Sequence, residues 1–132
     1  MKSELKLFAP KEYWELDPDV KQLITNGCGP WGWKGRLVPD HLWFLSIKLA
    51  CDIHDFMYLV GETIEEKIVA DRVFLNNMLR LIDHAGGFNF IIKKRKFLAK
   101  FYYEMVDNFG GPSFWESKNK LEEFRKVNLV VI

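Results

Sequence analysis

The sequence predicts an all-α protein of one domain, with two long antiparallel helices carrying a functional site. Three observations lead there. Apolar residues recur at spacings of three and four along several segments, the period of a helix with a buried face. Helix punctuation stands where those segments begin and end: a capping box at Thr63 and Glu66, and glycines at Gly61, Gly86 and Gly110. With 132 residues, 48% of them hydrophobic and 28% charged, the composition suits a single packed core rather than disorder or a coiled coil.

The charge balance narrows the partners. Nineteen basic and 18 acidic residues nearly cancel, which argues against nucleic-acid binding by counterion release over the whole surface. A charged partner must be recognised locally. No apolar stretch is long enough to span a bilayer. In Met1 to Pro10, Lys2, Glu4 and Lys6 interrupt the apolar residues; no signal peptide is visible, and the expectation is a cytoplasmic protein or one exported by another route. Two cysteines, Cys28 and Cys51, are too few for a disulfide-stapled miniprotein; one bridge and two free thiols are equally open.

In chain order, a short leading segment comes first, in which Phe8, Tyr13 and Trp14 either pack on the core, the preferred reading, or form an apolar rim. A small helix then opens at Asp17-Pro18, turns Val20, Leu23 and Ile24 to one side, and stops at Asn26-Gly27. From Asn26 to Gly35, four glycines and a proline forbid a helix and favour tight turns with positive φ. Such a loop can aim several backbone carbonyls at one point, as a hard cation requires, although taken alone it reads first as an ordinary glycine-rich surface loop.

Pro39-Asp40 opens the first long helix, expected to run to about Val60 and stop at Gly61. One of its stripes is Leu42, Leu45, Leu49, Ile53 and Phe56; the other is Ile47, Cys51, His54 and Tyr58. A helix apolar on most sides is buried on most sides, so His54 and Asp55 need partners. The second long helix starts at the Thr63–Glu66 capping box and runs to about Asp83, with a stripe of Ile64, Ile68, Asp71, Leu75, Met78 and Ile82. An aspartate inside an apolar stripe costs several kcal/mol unless it is hydrogen-bonded or paired. His54 is its best candidate partner; the alternative is a slightly rotated stripe that leaves Asp71 solvated beside Arg72.

A third helix is expected from about Phe90 to Asn108, its inner side formed by Phe90, Phe97, Phe101 and Met105 with Leu98 and Tyr102. The run Lys93-Lys94-Arg95-Lys96 sits near its start, where basic charge opposes the helix dipole and so does nothing for helix stability. A solvated face or an attraction to anionic head groups accounts for it. Beyond Gly110-Gly111-Pro112 the pattern suggests a short amphipathic helix over Lys118 to Arg125 and an apolar tail from Val127 to Ile132.

A glycine-rich loop, a helix bearing Cys51-x-x-His54-Asp55-x-x-Tyr58 and a second helix with Asp71 form a set that resembles the secreted-type phospholipase A2 family. The Asn26-Gly27-Cys28-Gly29 segment is similar to that of members with a divergent calcium loop. Ala70-Asp71-x-x-Phe74 resembles the second helix of the family, parvoviral domains included. The match spans roughly Asn26 to Met78. It implies a phospholipase A2-like fold and calcium-dependent hydrolysis of the sn-2 acyl ester of glycerophospholipids at a membrane surface or micelle, without nucleic acid. By the same resemblance His54 is the general base, Asp71 orients it, and Tyr58 hydrogen-bonds Asp71. Asp55 and the carbonyls of Gly27 and Gly29 would bind Ca2+, with a third carbonyl from Trp31 or Gly32. Gly32 arrives one residue later than in the usual loop. Cys28 and Cys51 match half-cystines that join loop to helix, while the other cysteines of the family are absent.

The implied chemistry suits the residue types. Water becomes a competent nucleophile when a neutral imidazole takes its proton, and a carboxylate behind the ring stabilises the imidazolium that results. Trp31, Trp33, Trp43 and Phe44 are candidates for an interfacial collar. Two other readings compete: a catalytically silent lipid-binding or protein-interaction module on the same scaffold, and a transition-metal site from Cys51, His54 and Asp55 with His41 or His84. The latter spacing matches no zinc template.

Overall fold

The structure, a computed structural model, describes residues 5–24, 39–112, 114 and 115, without the side chains of 22–24. Among these the elements are α1 (Lys11–Trp14), α2 (Pro18–Ile24), β1 (His41–Leu42), β2 (Leu45–Ser46), α3 (Lys48–Val60), α4 (Ile64–Ala85) and α5 (Asn89–Phe109). The mostly helical expectation holds. The glycine-rich stretch from Asn26 to Gly35, expected to be a loop, lies outside the described residues, as does the tail from Lys118 to Ile132.

Local chemistry sets the helix ends. Thr63 Oγ1 accepts the Glu66 N–H at 3.1 Å, and Glu65 and Glu66 place acidic charge in the first turn of α4. At its other end Gly86 takes φ 66°, a left-handed conformation that favours glycine. α5 ends at Gly110, whose N–H bonds the Val106 carbonyl.

The first long helix is shorter than expected. Residues 41–46 form an antiparallel hairpin pairing Leu42 with Leu45, and α3 begins only at Lys48. Trp43 and Phe44 both adopt positive φ, 41° and 71°, the backbone of a two-residue hairpin turn. That conformation is costly for aromatic residues, but α5 holds the hairpin: Tyr102 Oη donates to the His41 carbonyl at 3.1 Å, Arg95 donates to the Trp43 carbonyl, and Lys94 lies over the Trp43 ring. Leu42 and Ile47, which a helix would also have buried, are both fully enclosed.

α3 and α4 pack antiparallel. Tyr58 lies against Ala70, His54 meets Asp71 and Phe74, and Ala50 and Cys51 share a core with Met78 and Ile82. Each fully buried Leu, Ile, Met or Phe in this core contributes about 1.5–3 kcal/mol. Leu7, Tyr13, Ile53, Phe56 and Leu59 form a second cluster on the far side of α3. Buried Asn77 of α4 secures the leading segment: its Oδ1 accepts the Phe8 N–H at 2.7 Å and its Nδ2 donates to the Phe8 carbonyl at 2.8 Å.

Three expected faces are corrected. On α4 the buried face is Lys67, Ala70, Asp71, Phe74, Asn77, Met78 and Ile82, so Ile64 and Ile68 are exposed; the stripe turns because Lys67 points inward to a carboxylate. On α5 the buried residues are Ala99, Tyr102 and Val106, whereas Phe90, Phe97 and Phe101 face outward. Small Ala99 lets α5 approach the core, and the phenylalanines fall on the other side of the helix. Near the N-terminus Tyr13 is core, but Phe8 and Trp14 are half exposed, with the Arg80 guanidinium 3.8 Å from the Phe8 ring centre.

Candidate functional site

The site is built around one carboxylate. Asp71 is wholly buried at 0% exposure, and three side chains donate to it. His54 Nε2 lies 2.8 Å and Tyr58 Oη 2.6 Å from Oδ1; Lys67 Nζ lies 2.7 Å from Oδ2. His54 and Tyr58 stand four residues apart on α3, one turn, so both reach the same oxygen across the helix interface. Lys67 stands four residues before Asp71 on α4 and takes the other oxygen.

Burial works against ionisation of Asp71, but the bonds from His54, Lys67 and Tyr58 outweigh it and hold the carboxyl below the usual carboxylate range. An ionised carboxylate has no proton to give. The hydrogen in the His54–Asp71 contact therefore belongs to the imidazole, with Nε2 donating; in the neutral ring Nδ1 carries the free lone pair. The Tyr58 hydroxyl keeps its proton as well, because burial and then the Asp71 charge push its pKa far above the ordinary tyrosine value of 10.0.

Aromatic packing fixes the imidazole. Its ring centre lies 4.2 Å from that of Tyr58 and 4.7 Å from that of Phe74. Tyr58 is supported in turn by Phe114, edge-on at 5.3 Å, and by Gly110: a Cβ there would stand 2.5 Å from the Tyr58 hydroxyl oxygen. Gly110 thus does more than end α5. It leaves the room that Tyr58 occupies.

Lys67 is the functional-site residue that sequence reasoning missed. Its ammonium donates to Asp71, to the Val106 carbonyl at 3.2 Å and to the Asp107 carbonyl at 3.4 Å, which accounts for its three protons. The two carbonyls belong to the last turn of α5, where a cation is favourable. The available signal was the i,i+4 spacing of Lys67 and Asp71, together with the need of a buried aspartate for a charge partner.

The other expected residues separate as follows. Asp55 follows His54 on α3 and is partly buried; its charge, with that of Asp52, adds to burial in pushing the Tyr13 pKa up to about 12. Gly27, Gly29, Trp31 and Gly32, the expected carbonyl ligands, lie outside the described residues, as do Cys28 and Trp33. One carboxylate completed by main-chain oxygens is a donor set that suits calcium, and Asp55 is the member of it within the described residues. No group of three or more His, Cys, Asp or Glu side chains suited to a metal ion occurs among the described residues. Cys51 is buried and disulfide-bonded, so it is not available as a thiolate ligand. His41 pairs with Asp40 on the exposed hairpin and His84 sits at the exposed end of α4, which removes the transition-metal grouping.

The arrangement can accept a proton at a defined nitrogen and stabilise the positive ring that forms. Comparison with known proteins adds no relative: no family model, no curated protein and no solved structure matches the chain.

Proposed function

We propose that the protein is a hydrolase of phospholipase A2 type, with His54 as the base that activates water against a carboxylic ester, the sn-2 acyl ester of a glycerophospholipid. The observation that carries this reading is the commitment of His54 Nε2 to an ionised, fully buried Asp71, which leaves Nδ1 as the proton acceptor. Proton transfer to Nδ1 produces an imidazolium whose charge Asp71 offsets at 2.8 Å. Tyr58 and Lys67 are positioning residues: Tyr58 shares Oδ1 with His54 and Lys67 holds Oδ2, so both carboxylate oxygens are fixed and the ring's partner keeps its orientation. When bound, calcium supplies polarisation of the ester carbonyl and stabilisation of the oxyanion. Asp55 would hold it, with main-chain oxygens of the Gly27–Gly32 segment.

The test is release of fatty acid from mixed phospholipid vesicles, in calcium and then in chelator, by the wild-type protein and by His54→Gln. Calcium-dependent release is expected, with a loss of about 100-fold or more in the variant. Absence of release from every lipid by a folded wild-type protein would sink the hydrolase and leave a silent binding module.

A further inference from the structure

The outer face of α5 has no role in the chemistry above, and its composition is unusual for solvent. Phe90, Phe97 and Phe101 are 64%, 71% and 51% exposed. Their spacings of seven and four residues put them on one line along roughly 16 Å of helix. Phe88, stacked on Phe90 at 6.0 Å, extends the line before the helix begins. From Asn89 to Phe101 the helix carries five cations, Lys93, Lys94, Arg95, Lys96 and Lys100, and no acid. Arg95 and Lys94 are engaged with Trp43, and Lys96 pairs with Asp83 at 3.1 Å. Lys93 and Lys100, seven residues apart, are exposed along one flank of the phenylalanine line.

We infer that this face seats the protein on an anionic phospholipid surface, the phenylalanines entering the boundary between head groups and acyl chains and the lysines meeting the phosphates. With no acid between Asn89 and Phe101 and Lys93 and Lys100 exposed beside the phenylalanines, this face complements a surface of negative charge. A second copy of this chain would bring lysines against lysines. A partner helix docks into a groove, whereas three side chains more than half exposed form a ridge, and a ridge suits a fluid interface. No helix among the described residues is long and apolar enough to cross a membrane, so α5 would lie along the surface. The inference does not rest on the hydrolase reading.

The experiment is co-sedimentation of the full chain with vesicles of phosphatidylcholine, with or without phosphatidylglycerol. Binding is expected to the phosphatidylglycerol vesicles and to weaken with salt. A triple variant, Phe90→Ser with Phe97→Ser and Phe101→Ser, and a double variant, Lys93→Gln with Lys100→Gln, should each bind about tenfold more weakly or worse. Both should melt as the wild type does; if the triple variant is destabilised, the double variant decides. Absence of wild-type binding, equal binding by the double variant, or a wild-type dimer that the triple variant dissociates overturns the inference. His54→Gln should bind vesicles as the wild type does, so a failure of the docking face and a failure of the hydrolase are read separately.

Discussion

Asp71 and Asn77 are both wholly buried polar residues on α4, six positions apart, and they do opposite work. Asn77 exchanges two hydrogen bonds with one backbone unit, that of Phe8. None of these groups titrates in the ordinary range, and the result is a fastening. Asp71 instead gathers an imidazole, a phenol and an ammonium, all of them groups that move protons. Burial alone does not mark a functional residue; the chemistry of its partners does.

The contrast is broken most strongly at Asp71. Asp71→Asn keeps the shape but turns an NH2 or a neutral carbonyl toward Lys67, which stays buried with its charge uncompensated. The expected cost is about 3–5 kcal/mol in urea unfolding, with fatty-acid release falling about 100-fold or more. A variant that unfolds like the wild type would show that Lys67 finds another partner and that the network is looser than its distances. Lys67→Met is expected to destabilise by a similar amount, about 3–5 kcal/mol. Combining it with Asp71→Leu should restore part of that stability while turnover stays lost, since an apolar pair of similar volume commonly replaces a buried ion pair without penalty. Denaturation of the wild type, Lys67→Met, Asp71→Leu and the double variant side by side checks this, and additive losses would refute a direct pair.

Asn77→Ala sharpens the comparison from the other side. It strips both partners from Phe8 and should cost about 1–3 kcal/mol, with turnover per folded molecule unchanged. Loss of turnover at full folding would mean that the leading segment belongs to the site.

The smallest effects are those of pH. Asp71 ionises more readily folded than unfolded, so its contribution is complete above the unfolded value of 3.8 and is lost as pH falls below that. Tyr58 and Tyr13 are harder to ionise folded than unfolded, so their contribution is complete below 10.0 and is lost as pH rises beyond it, for Tyr13 through about 12. Thermal melting across pH should therefore show a plateau with an acid edge below 3.8 and an alkaline edge above 10.0. Tyr58→Phe should soften the alkaline edge.

Much of this was legible in order along the chain. The helices after Thr63 are set by local signals: a capping box, glycine stops, and a 3.6-residue period that needs no knowledge of neighbours. The pairing of Asp71 with His54 could be anticipated because an aspartate in an apolar stripe must find a donor, and a helix hairpin with a three-residue connection brings the first helix alongside the second. Elsewhere the same apolar spacing admitted two structures. Leu42 and Leu45 fit one helix stripe as well as a hairpin, and contacts from Tyr102, Arg95 and Lys94, more than 50 residues away, hold the hairpin.

Tertiary structure also decided which face of each helix turned inward. A stripe of phenylalanines on α5 looks like core by composition, yet close approach at Ala99 put that stripe outside. Lys67 looks like a solvated lysine, yet Asp71 and the final carbonyls of α5 together make an interior place for an ammonium. The sequence by itself determined the helices and the residue types available to the site, because periodicity and capping act within a few residues. The choice of inward face depended on which partners a neighbouring helix presented, and those come from distant parts of the chain.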